Sequence, residues 1–268
     1  MIEVDAVIQP FDRLPVNRLP DNRLQCALDA CYKTFLPYSQ PLAFTASPHR
    51  NPAALLKSLT SAPLRELTAA QLGPYAGYAL TTVGDVEDYK HFLPRIFELA
   101  IQLTGQPGLG AEVIALRLKQ GRWREWPIEE QAAVEAVFRE AFAQATQGHV
   151  GEADVQGWLC GMAILDLPLA EVLDDWLANS KADHNDNARL QIAQFIHDAA
   201  GFLHAVETAG QAFWSYANEA TLHFMRAWVA SASVTERMIA TLHGASADRW
   251  IVEHAMKVLA EVQSQTAH

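Results

Sequence analysis

The stretch DVEDYKHFLPRIFELA, residues 85–100, decides the fold. Tyr89, Phe92, Leu93, Ile96, Phe97 and Ala100 stand at offsets 0, 3, 4, 7, 8 and 11, which places them on one face of an α-helix. Gly84 breaks the chain just before it. Asp85 can accept from the free N–H groups of the first turn, and Asp88, three residues on, gives a capping-box-like start. Pro94 falls inside the pattern. It lacks a backbone donor and its ring crowds the carbonyl of Lys90, so a kink or break is expected there.

The same stretch carries candidate chemistry. Glu87, His91 and Arg95 follow one another at intervals of four along a polar stripe, and Asp88 lies three before His91. A carboxylate beside an imidazole raises its pKa and orients it, as a general base requires. Asp85, Asp88, His91 and Arg95 are therefore the candidate catalytic residues. No nucleophile or second convergent carboxylate accompanies them, and Thr81 and Thr82 are near only in sequence. A capped amphipathic helix with a solvated charged face is the simpler reading. The phosphate-binding loop G-x-x-x-x-G-K-[ST], the G-x-S-x-G elbow and the H-E-x-x-H zinc motif are all missing. GQPGLG (105–110) opens a helix but follows another helix, so it reads as a capping turn, not a dinucleotide loop.

Outward from this helix, the chain is all-α. Residues 1–20 hold three prolines and no sustained period, and read as an extended arm. A single helical domain over 21–268 comes next, with a possible sub-boundary near 148–151. The first helix starts at Asp21, where Leu24, Leu28, Cys31 and Phe35 share a face. Prolines 37, 41, 48 and 52 imply a long irregular connection, and Thr68 is a plausible cap for the helical stretch that begins beside it. Helical patterns recur at 110–120, 128–146, 152–165, 168–179, 187–207, 210–230, 234–243 and 246–264. On 210–230, Phe213, Ala217, Ala220, Phe224 and Trp228 form one stripe, flanked by Leu222, Met225 and Val229. A helix apolar on so much of its circumference must be covered on several sides, as in antiparallel helix pairs stacked into a HEAT-like α-solenoid. No consensus repeat at a fixed period supports that reading.

GRWREWP (121–127) interleaves Arg122, Trp123, Arg124 and Trp126. Exposed, these four are candidate binding residues, since Trp and Arg are favoured contact residues. Buried, they lock one helical layer to the next with arginine stacked on a ring, and packing is the favoured reading. Metal ligation is not expected. Seven of the ten histidines follow residue 180, but His197 and His204, seven apart on one helix, are too distant to share one zinc. Asp183, His184 and Asp186 crowd what reads as a helix start, and Glu219 and His223 can pair on a surface. Cys26, Cys31 and Cys160 form no disulfide or zinc pattern and read as small buried hydrophobes.

Charge narrows the partners. The net charge is −11; residues 1–150 carry −2 and residues 151–268 carry −9. Such an acidic half repels phosphate, which excludes nucleic acid as the expected partner, and it would steer a basic protein instead. No apolar run spans a bilayer and the first residues lack a secretory pattern, so no membrane and a cytoplasmic location are expected. No cofactor is implied, and a homo-oligomer is compatible with the sequence.

YAGYALTTVGDVEDYKHFLPRIFELA (75–100), together with GRWREWP, resembles an uncharacterised family of bacterial proteins with a TT-G-x-x-D-(aromatic)-K/R-H-F-L-P-R segment. The similarity covers roughly residues 65–130. It implies a bacterial, cytoplasmic, helical protein and transfers no catalytic residue. The leading expectation is a helical-repeat interaction module, of the regulatory or immunity-type kind. The alternative is an enzyme or small-ligand binder around Asp88, His91 and Arg95.

Overall fold

The computed structural model describes residues 21–47, 51–181, 186–198, 209–244 and 248–266; the arm expected over 1–20 lies outside them. The described residues form helices joined by turns, with two isolated β-bridges and no named strand. The N-terminal half contains α1 (Asn22–Thr34), α2 (Pro52–Leu59), α3 (Ala69–Ala76), α4 (Val86–Gln102), α5 (Ala111–Gln120) and α6 (Ile128–Thr146). Then come α7 (Val155–Ile164), α8 (Leu169–Asn179), α9 (Asp186–Asp198), α10 (Glu219–Val229), α11 (Ala232–Gly244) and α12 (Arg249–Thr266).

The helices start where the sequence supplies acceptors for free amides. Asp21 accepts from the Leu24 amide, and Thr68 and Gln71 close a capping box on α3. Asp85 and Asp88 do the same for α4, each side chain accepting from the other's backbone N–H at 3.0 Å. Pro94 does not break α4, which runs through it. The one lost backbone bond is outweighed by Tyr89, Phe92, Leu93, Ile96 and Phe97, all fully buried on the expected face.

Two corrections concern elements. The connection from Pro37 to Pro52 is shorter than expected, because α2 begins at Pro52. Asn51 caps the Ala54 amide and Pro52 sits at the first helical position, where its missing donor costs nothing. The pattern over 210–230 is not one helix. A 3-10 segment, Ala209–Tyr216, ends before Asn218, whose side chain caps Thr221 and starts α10. The stripe drawn through it is divided accordingly: Trp228, Met225 and Val229 are buried, whereas Ala220 and Phe224 are exposed. Cys26 is likewise exposed, while Cys31 and Cys160 are buried.

Packing joins distant parts of the chain. Helix α1 lies along α6 and also touches α4; α5 lies along α7, which in turn packs on α6. In the C-terminal half, α9 lies along α12, and α11 contacts α8, α9, α10 and α12. The α5–α7 crossing is close because Gly161 has no side chain: a Cβ there would stand 2.7 Å from the Phe138 ring and 3.0 Å from the Ala111 carbonyl. A second close approach fixes the 105–110 turn on α3. Gly108 has φ +81°, and a Cβ on it would come within 2.3 Å of the Gly73 carbonyl.

Gly108→Ala combines left-handed backbone with a backbone clash, so it is expected to destabilise the fold by about 2 kcal/mol or more in urea denaturation. An unchanged midpoint would show that the turn can move off α3. At the start of α5, burial pushes the Glu112 carboxyl above its usual range, with the nearby Asp154 charge adding to the effect, and its Oε2 is buried without a partner. The unfolded chain releases this proton at lower pH. Between the two values the folded state therefore binds more protons, and stability falls as pH rises through that window. Glu112→Gln is expected to stabilise the protein at neutral pH and to lose that advantage below the ordinary carboxylate range. A benefit that persists undiminished in acid would contradict this account.

Candidate functional site

The α4 stretch meets the irregular segment after α1. That segment is held by backbone bonds from the Ser47 amide to the Thr82 carbonyl (2.9 Å) and from the Gly84 amide to the Thr45 carbonyl (2.8 Å). Phe44 stacks on Tyr75 with ring centroids 5.3 Å apart, and Tyr75 meets Phe92 edge-on. The α4 helix and this segment therefore form one packed unit around an aromatic cluster.

The four candidate catalytic residues take separate assignments within it. Asp85 and Asp88 cap α4. Burial raises the Asp88 carboxyl above its usual range, opposed by the Asp85 backbone bond and by nearby His91. The His91 Nδ1 lies 2.9 Å from the Tyr38 carbonyl oxygen. Because a carbonyl only accepts, Nδ1 carries the proton, and a neutral His91 leaves its Nε2 as the acceptor. Arg95 turns away from this group: its Nε donates to the Leu67 carbonyl (2.8 Å) and its Nη1 pairs with Glu98 Oε2 (2.7 Å). Glu98 also accepts from the Tyr32 hydroxyl at 2.6 Å. Thus Asp85, Asp88 and His91 lie near one another, and Arg95 belongs to a different network with Glu98 and Tyr32.

Between them lies a cluster that the sequence patterns do not reveal. Lys90, 6% exposed, pairs with Glu130 of α6, also 6% exposed, at 2.6 Å. The Lys90 Nζ donates to the Tyr38 hydroxyl oxygen (2.9 Å), and that hydroxyl donates to Glu130 Oε1 (2.6 Å). These two hydrogen bonds and the ion pair close a ring of ammonium, phenol and carboxylate. The Lys90 charge also sits 4.4 Å from the Trp126 ring centroid and 4.8 Å from that of Tyr38. Burial and the bond to Glu130 raise the Tyr38 phenol above its ordinary range, against the opposing pull of Lys90. A partial signal exists: Lys90 shares spacings of 3, 7 and 11 with Leu93, Phe97 and Ile101, and Glu130 shares 3, 4 and 7 with Ala133, Val134 and Val137. Both charges thus sit on the apolar side of their helices.

The two tryptophans of the Trp/Arg segment are built into the core. Trp123 is 2% and Trp126 7% exposed. The Trp126 indole donates to the Gly121 carbonyl (2.9 Å), and its ring meets Phe35 edge-on. Arg124 stacks 4.2 Å over Trp123 and donates to the carbonyls of Leu165 and Asp166. Arg122, paired with Glu125, and Arg124 are both exposed. Here the packing reading describes both tryptophans. Among the described residues no group of three or more His, Cys, Asp or Glu is placed to hold a metal, and no helix is long and apolar enough to cross a membrane. Asp183, His184 and His204 lie outside the described residues.

Removing one member of a buried, bonded ion pair leaves the other uncompensated, at a cost of about 3–5 kcal/mol. Lys90→Met is expected to destabilise by that amount in denaturant titration, and Lys90→Met/Glu130→Leu to recover more than half of it. A double variant as weak as the sum of its single variants would contradict the pairing. No protein-family model, curated protein or solved structure matches the chain, so its site is read from these contacts.

Proposed function

We propose that the protein is a helical interaction module, of a regulatory or immunity-type kind, whose acidic C-terminal half receives a basic protein partner. The observation that carries this reading is the division of α8. Val172, Leu173 and Trp176 face the core, while Asp174 and Asp175 are exposed beside the exposed Glu171 and the preceding Asp166. Glu171 shares Arg139, which leaves most of this charge uncompensated. Contacts of α11 with α8, α9 and α12 support a HEAT-like stacking of helix pairs in this half, which would present α8 on a continuous face. The resemblance to a bacterial family supports a bacterial, cytoplasmic setting. The enzyme reading around Asp88, His91 and Arg95 is weaker, because Arg95 is engaged elsewhere and both aspartates serve the cap.

Labelled oligolysine, followed by fluorescence anisotropy, tests the acidic face. Binding is expected to weaken with salt and to fall about tenfold or more in Asp174→Lys/Asp175→Lys. Glu66→Lys/Glu129→Lys, the same charge change at exposed sites in the N-terminal half, should leave it within about threefold of wild type. Equal loss in both variants would reduce the effect to net charge and overturn the localised site.

A further inference from the structure

A second surface, with no α8 residue in its lining, has a different chemistry. Helices α3 and α5 flank a groove of about 600 Å³, within the size range of small-molecule sites. Its walls are mainly apolar, formed by Ala70, Pro74, Val113, Leu116 and Phe213, with the Gly73–Gly108 contact fixing one side. Arg117 is its single cationic side chain.

Arg117 and Arg237 each have a buried Nε without an acceptor, and of the two it is Arg117 that lines this groove, whereas other arginines of similar exposure have carboxylate partners. Arg95, Arg139 and Arg189 each pair with a carboxylate. Arg117 donates to the Gly77 carbonyl (2.8 Å) and to the Gln120 side-chain oxygen, both neutral, and among the described residues no carboxylate pairs with it. Its Nε is buried and has no acceptor. Burial lowers its pKa, with only the phenols of Tyr89 and Tyr216 opposing that effect. A partly desolvated guanidinium with an orphan N–H is incomplete without an anion, and an apolar wall beside it selects an anion with an apolar body.

We infer that the α3–α5 groove binds a small amphipathic carboxylate, its hydrocarbon or aromatic body against Val113, Leu116 and Phe213 and its head group on Arg117. The pairing needs no covalent step. A carboxylate supplies the counter-charge that the protein withholds, and burial of the body supplies most of the affinity. This site is independent of the acidic face, so neither outcome there bears on it.

Decanoate, below its aggregation concentration, is the probe, with decylamine as the matched cation; binding is read by isothermal titration calorimetry on the full chain. Decanoate is expected to bind saturably and decylamine about tenfold more weakly or worse. Arg117→Met should abolish that preference. Because this variant also loses the bond to Gly77, Ala70→Phe provides a second test: Ala70 is exposed, so its enlargement fills the groove without entering the core. It should weaken decanoate about tenfold while leaving the circular dichroism spectrum and melting temperature unchanged. Absence of saturable decanoate binding, equal binding of decylamine to the wild type, a preference that survives Arg117→Met, or indifference to Ala70→Phe would each overturn the assignment.

Discussion

The ion pair between Lys90 and Glu130 is the constraint on which the N-terminal half depends. Two opposite charges removed from water are tolerable only if each finds the other and the remaining donors and acceptors are filled. Tyr38 meets that requirement by bonding to both, so its backbone is fixed beside α4 and its carbonyl reaches His91. One buried charge pair thus ties α4, α6 and the segment after α1 into a single arrangement. The Trp126 ring beside the ammonium extends the tie to the turn between α5 and α6. Breaking the pair would disturb all four together.

The same constraint engages the reactive side chains crowded into the α4 stretch. Catalysis needs groups converging on a space where a substrate can sit. Here the carboxylates of Asp85 and Asp88 point to backbone amides, the guanidinium of Arg95 to a carbonyl and Glu98, and the ammonium of Lys90 to Glu130. Each polar group satisfies the architecture. The surfaces proposed for recognition are an acidic face on α8 and an apolar groove beside Arg117 between α3 and α5.

The all-α fold is legible in the sequence because its evidence is periodic. The α4 stripe, the α6 pattern and the capping residues Asp21, Thr68 and Asp85 act locally, over spacings of three and four residues. The features that escape are of two kinds: punctuation with more than one meaning, and contacts between distant residues. Pro52 closes a run of prolines that resembles coil, yet Asn51-Pro52 is a helix start. Asn218 lies inside a continuous apolar pattern, yet it begins a new helix. The Tyr38–Lys90–Glu130 ring joins residues 52 and 92 positions apart, and no local spacing reveals which distant charge a buried lysine will meet. The groove depends on the same kind of information, since Phe213 reaches α3 and α5 only through tertiary packing.

Amide hydrogen exchange on the wild-type protein, resolved by residue, tests the tie most directly. If the buried pair makes the segment after α1 and α4 one cooperative unit, the Ser47 and Gly84 amides will exchange as slowly as the core amides of α4, with the same dependence on denaturant. If Ser47 and Gly84 exchange orders of magnitude faster while α4 stays protected, the segment opens on its own, and the ion pair does not hold this half together.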